Sequence, residues 1–146
     1  MNAESPAYRF ELLDHTADQT IAAYGETLEE CFEAAAAGMF SLSVDLATVP
    51  AEKSWAVKVQ APALPDLLAR WLKELLFISE QEEAALSRFR ITALELGPWR
   101  LEGTAWGAPF SDKVRRTGAV AKAVTYQNLA VEATAEGWRA TVTVDV

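Results

Sequence analysis

Two aspartates and the chain's single histidine fall within five residues, Asp14-His15-Thr16-Ala17-Asp18, inside the segment LLDHTADQTI. Groups of these types at this spacing can ligate a metal ion, share acid–base work, or bond their own backbone in a polar turn between strands. Taken alone, the ordinary reading of the segment is the turn, with Asp14 capping it and His15 bonded to a carbonyl. The rest of the composition narrows the chemical alternatives. One histidine excludes the multi-His sites that suit zinc, and one cysteine, Cys31, excludes a paired-cysteine zinc centre. A metal bound here must be held by oxygen, which favours a hard cation such as Mg²⁺, Ca²⁺ or Mn²⁺. A catalytic triad would have to use His15 as its base, and nothing around the serines suggests an activated nucleophile. The chain also carries no Gly-rich phosphate loop with a lysine and no dinucleotide fingerprint.

The other end of the sequence offers further oxygens. It stops at Thr143-Val144-Asp145-Val146, still inside an alternating strand pattern. An α-carboxylate held at a strand end beside Asp145 places two anionic groups close together, which is costly unless a cation or donors neutralise them. The plain alternative is a solvated strand end. If the first strand or its loop lay beside the last strand, Asp18 would complete an oxygen-rich pocket. Lys122, in VAKAVTYQNL, sits among Val120, Ala121, Ala123 and Val124. It reads either as a solvent-side strand residue or as the counter-charge to the acidic cluster. Lys113, Arg115 and Arg116 form the only basic run and read as a solvated loop tip.

The distribution of charge bears on partners. The net charge is −8, and residues 1–50 hold nine acids against one base, Arg9. Direct nucleic-acid binding is opposed by such a field, because phosphate contacts need Lys and Arg to displace counterions. A cation or a basic protein partner fits it better. No apolar run approaches the ~18 residues of a membrane span. MNAESPAYRF lacks the basic-then-apolar pattern of a secretion signal. One cysteine argues for a reducing compartment, so the expected location is cytoplasmic, with no membrane association.

With 146 residues, 51% of them hydrophobic, the chain can bury a core without staples, and one domain over residues 1–146 is expected. Tyr8 to Leu12 and Thr20 to Tyr24 alternate as strands, which leaves Asp14 to Asp18 as their connection. Thr27-Leu28-Glu29-Glu30 is a capping-box signature that opens a helix over about 27–43. Leu28, Cys31, Phe32, Ala35, Met39 and Leu42 recur behind it at helical spacing, so Cys31 reads as a buried small side chain. Trp55 to Gln60 alternates as a strand. A second helix over about 64–82 follows Pro62, with a broad face of Leu64, Leu67, Leu68, Trp71, Leu72, Leu75, Leu76 and Ile78. Strand candidates then follow at 89–91, 99–106, 121–126, 129–133 and 138–144, with turns at 96–98 and 135–137 and an exposed loop between 107 and 120. Hairpin-scale links and two helices predict an α+β fold, a mainly antiparallel β-sheet domain.

The segments FELLDHTADQTIAAYGETLEECFEAAAAGMF, LARWLKELLF, AKAVTYQNL and GWRATVTVDV, in this order over nearly the full length, resemble the archease family. The resemblance implies a compact antiparallel sheet domain with two helices, and a non-catalytic accessory protein of an RtcB-type RNA ligase. That ligase joins RNA ends bearing 2′,3′-cyclic phosphate or 3′-phosphate to 5′-hydroxyl ends, using GTP and Mn²⁺ through a guanylylated histidine. The accessory protein promotes guanylylation and multiple turnover, in tRNA splicing or RNA repair. It meets RNA through the ligase and does not itself bind the GTP. By resemblance the divalent-ion ligands are Asp18, Asp145 and the terminal Val146, and the residues needed for activation are Asp18, Lys122 and Asp145. Asp14 and His15 match the motif in a secondary role that shapes the loop. Two departures stand out: Gln127 replaces a usual histidine in TYQNL, and the loop 107–118 lacks the family's acidic and histidine-bearing text.

Two other classes compete. A chaperone-like module would hold partner proteins on its acidic surface without a metal, and would show no aspartate-dependent cation binding. A metal-dependent hydrolase acting through Asp14, His15 and Asp18 would turn over without any ligase, yet the sequence offers no second base or nucleophile for it.

Overall fold

The computed structural model describes residues 7–13 and 18–146. Asp14 and His15 therefore lie outside the described residues. Nine main elements follow in order: β1 (Arg9–Leu13), β2 (Asp18–Gly25), α1 (Leu28–Ser41), β3 (Lys53–Ala61), α2 (Leu64–Glu82), β4 (Ala84–Leu96), β5 (Trp99–Pro109), β6 (Ala123–Thr134) and β7 (Gly137–Asp145). They form two antiparallel sheets, β1-β2-β7-β6 and β3-β5-β4. Helix α1 packs on β1, β2 and β7 of the first sheet and on β4 of the second. Helix α2 packs on β6 of the first and on β3, β4 and β5 of the second. Both helices thus lie between the sheets, and the fold is α+β. Among the described residues no helix is long and apolar enough to cross a membrane.

The helix starts follow from their sequences. Thr27 Oγ1 accepts the Glu30 N–H at 3.1 Å, and Glu30 Oε1 takes the Thr27 N–H at 3.4 Å, closing the capping box. Helix α1 can sit between two sheets because its buried middle is Ala34-Ala35-Ala36-Ala37-Gly38. A Cβ added at Gly38 would come within 2.7 Å of Ile21 Cγ2, so only glycine lets β2 approach this closely. Cys31 lies fully buried on the same helix with its thiol toward the Ala23 carbonyl. Burial pushes that thiol up to about 12, which leaves it protonated and inert. Helix α2 begins with Pro65 in its first turn, where the missing N–H is not needed. Its Trp71 is fully buried and donates its indole N–H to the Phe32 carbonyl at 3.0 Å.

Several elements differ from the sequence expectation. Strand β2 starts at Asp18, so this residue is the first of a strand and not the last of a connection. Strand β4 is thirteen residues long, with register shifts between Leu86 and Arg88 and between Ile91 and Ala93 that interrupt its alternation. The two expected strands 121–126 and 129–133 are one element, β6, in which Tyr126 to Leu129 all lie between the pairs Thr125↔Thr143 and Ala130↔Thr141. Asn128 takes a left-handed φ of 59° there. Nor is 107–120 simply an exposed loop. Residues 107–109 continue β5, Arg116 bridges to Val44, and Val114 is buried against Val44, Val49 and Ala85. The basic run is anchored as well, since Arg115 pairs with Asp45 at 3.2 Å and Arg116 stacks on Phe110.

At the second shift in β4, Glu33 Oε2 accepts the Ile91 N–H at 2.8 Å from a half-buried position on α1. Burial raises the Glu33 carboxyl above the ordinary range, outweighing that bond. A folded carboxyl raised above its unfolded value binds its proton more readily in the native state. Its stabilising contribution therefore appears as pH falls through the raised value and is lost as pH rises. Glu33→Gln keeps an acceptor for Ile91 without the charge. Because the group is partly solvated, the expected gain at pH 7 is only a few tenths of a kcal/mol, and it should vanish near pH 4. Urea denaturation at the two pH values checks this; a destabilised variant at pH 7 would contradict it.

Candidate functional site

The site is built where β2 and β7 end together. In their antiparallel register Asp18 lies directly opposite Asp145, and the rows behind it pair Gln19 with Val144, Thr20 with Thr143 and Ile21 with Val142. Strand alternation divides these rows between two faces. Gln19, Ile21 and Ala23 point to the core with Val144, Val142 and Ala140 opposite them, all buried. Asp18 and Thr20 take the outer face together with Asp145 and Thr143. The Thr20 and Thr143 hydroxyls meet at 2.9 Å beneath the two carboxylates, and Thr125 Oγ1 donates to the Thr143 carbonyl at 3.0 Å.

Directly opposed residues share a face with Cβ atoms about 5 Å apart, so the two carboxyl groups are neighbours by construction. A shared hydrogen bond to Asp145 is the main reason the Asp18 carboxyl is raised, with burial and the Asp145 charge adding to it. Two anions in contact need a proton or a cation between them. Among the described residues neither Asp18 nor Asp145 has an ion-pair partner, and no third His, Cys, Asp or Glu side chain joins them in a cluster. Two carboxylates with open positions fit a hard cation that keeps several waters, as Mg²⁺ does. Val146, the third expected ligand, follows directly and is half-buried against the core.

Lys122 meets Asp145 through the main chain. Its backbone N–H donates to the Asp145 carbonyl at 2.8 Å, but Ala123 is the residue opposite Asp145. The exposed Lys122 precedes the strand and lines a groove of about 790 Å³ with Glu80, Glu82, Glu83, Arg116 and Val120. The structure thus brings Asp18 and Asp145 together and keeps Lys122 beside them through the main chain alone. Gln127 is exposed within the excursion of β6. Sequence reasoning missed Gln19 and the Thr20–Thr143 pair. The signal for Gln19 was a polar residue at an inward position of an otherwise apolar alternation.

Comparison with known proteins identifies the family and the fold. Residues 10–146 match the model of the Archease protein family (MTH1598/TM1083). Protein archease of Methanosarcina acetivorans is 38% identical over 144 residues, covering 97% of this chain and 99% of that one. Protein archease of Saccharolobus islandicus is 36% identical over 137 residues, covering 94% and 98%. The solution structure of Methanobacterium thermoautotrophicum protein 1598 superposes with a TM-score of 0.83 at 35% identity, over 94% of this chain and 98% of that one. The Thermotoga maritima protein described as an archease and possible chaperone shares the fold, with a TM-score of 0.58 at 17% identity over 100% and 99%. The chain belongs to the archease family.

Proposed function

We propose that this protein is a non-catalytic activator of an RtcB-type RNA ligase and acts through a divalent cation held by Asp18, Asp145 and the carboxylate of Val146. The observation that carries the reading is the Asp18–Asp145 rung, two facing carboxylates without a cationic partner among the described residues. Guanylylation of the ligase requires a metal-bound triphosphate positioned for in-line attack. An acidic domain carrying a cation on an exposed sheet end can place that charge at a basic active site, and acid-to-base complementarity speeds the encounter. Lys122, one main-chain hydrogen bond from Asp145, serves the same contact. The cation is Ca²⁺ or Mg²⁺, with Mn²⁺ compatible with the same oxygen ligands. RNA is met through the ligase, in tRNA splicing or RNA repair, and the working compartment is the cytoplasm.

Ligation by the cognate ligase with and without this protein tests the function. The expected result is a higher guanylylated fraction and multiple turnover only when the protein is present. Calorimetric titration with Ca²⁺ and Mg²⁺ tests the site: binding should be present in the native chain and lost in Asp18→Ala. A metal-independent, chaperone-like module predicts instead equal titrations for both proteins, and that result would replace the cation reading.

A further inference from the structure

We propose that Gln19 is a positioning residue for the acid pair, its buried side-chain amide fastening the end of β1 to the start of β2 so that Asp18 stays opposite Asp145. The cation-binding consequence rests on the function proposed above; the positional role does not.

Among the described residues pairing between β1 and β2 runs to Leu13↔Thr20, and pairing between β2 and β7 runs through Gln19↔Val144 to Asp18↔Asp145, where β7 ends. The terminal row of a ladder is where strands fray, and this one also carries two like charges that push its strands apart. Gln19 adds a bond from the β1 side. Its Nε2 gives one hydrogen to the Leu13 carbonyl at 2.6 Å and the other to the Thr20 carbonyl at 3.0 Å. Leu13 is the last residue of β1, so the amide spans from one flank of residues 14–17 to the other.

The burial of Gln19 points the same way. It is 5% exposed and faces Val144 in the core, where Ile21 and Ala23 occupy the equivalent positions along β2. An apolar side chain would serve packing at least as well there, because a buried amide is tolerated only when its bonds are made. The two N–H bonds made here go to main-chain carbonyls at the end of β1 and near the start of β2. They act on where the backbone of Asp18 lies and contribute little to the packing of the core.

Gln19→Met, of similar length and without a donor, separates the roles, and Gln19→Leu repeats the test should the first variant fold poorly. Amide hydrogen exchange without any cation is measured along β2, and Ca²⁺ affinity is measured by calorimetry well below the melting temperature. Exchange at residues 18–20 should accelerate by about tenfold, since the bonds to the Leu13 and Thr20 carbonyls are lost, while residues 21–25 keep their protection. Ca²⁺ affinity should fall by about tenfold, the usual cost of losing a group that orients a ligand. In an Asp18→Asn background the same substitution should change affinity no further. Unchanged exchange at 18–20 overturns the proposal, and so does an affinity loss of equal size in both backgrounds. If the native chain binds no cation, the cation reading falls and the exchange result alone decides the role of Gln19.

Discussion

Asp145→Ala is expected to leave the fold intact and to remove stimulation of the cognate ligase. The ladder at this position is made by main-chain groups: the Asp145 carbonyl receives the Lys122 N–H, and the residue pairs with Asp18 on one side and Ala123 on the other. Alanine keeps all of these. Its side chain lies on the outer face, where substitutions usually stay within about 0.5 kcal/mol, and removing one of two facing carboxylates relieves a repulsion. Circular dichroism and the melting temperature should therefore barely change. The proposed cation site, in contrast, loses one of its two side-chain ligands, and stimulation should drop by at least about tenfold, toward the ligase-alone rate. Removing Val146 should do nearly as much if its carboxylate is a ligand, because the ladder up to Asp145 is untouched. A ligation time course with limiting ligase is the measurement, and full stimulation by Asp145→Ala would sink the proposed function while sparing the fold.

Trp71→Ala should have the opposite profile, a large loss of stability from a residue that is not part of the acid pair. The indole is fully buried, bonds the Phe32 carbonyl on α1 from its place on α2, and lies so close to β5 that a Cβ at Gly103 would sit 3.2 Å from the ring. One side chain thus joins both helices to the second sheet. Truncating a buried tryptophan costs about 3–5 kcal/mol, or a fall of about 10 °C in melting temperature for a chain of this size. Trp71→Phe keeps most of the volume and gives up the bond, so about 1–2 kcal/mol is expected of it. Thermal denaturation of the two variants separates packing from hydrogen bonding. A fall of under about 3 °C in the alanine variant would show that the ring does not carry the junction described.

The parts of this architecture that declare themselves in the sequence are those governed by a local rule. Helix α2 follows from one broad apolar face, and α1 from a capping box followed by apolar residues at helical spacing. Pairing across sequence distance obeys no local rule, so the meeting of Asp18 with Asp145 could be stated beforehand only as a condition. The same gap leaves Lys122 open in sequence between a solvent-side residue and a counter-charge to the acids, and only the fold shows that Ala123, not Lys122, stands opposite Asp145. Strands β4 and β6 were shortened or split because their irregularities break the two-residue period on which strand recognition depends. Gln19 shows the converse: a polar residue that violates the pattern of β2 and does so where two strands must be joined.

The excursion in β6 has a consequence for how this family can vary. Between Thr125 and Ala130 the strand spends four residues where its partner β7 spends one, Val142. Five steps along one strand match two along the other, so odd and even positions exchange faces on crossing it. Pairing at Ala123 and Thr125, next to the acid pair, is set before the excursion, and pairing from Ala130 onward is set after it. Chain length at 126–129 is thereby uncoupled from the register that holds Asp145. Residues can be gained or lost there without moving either carboxylate. An alignment of relatives that forces this stretch into a gapless strand will mistake a change of length for a change of site.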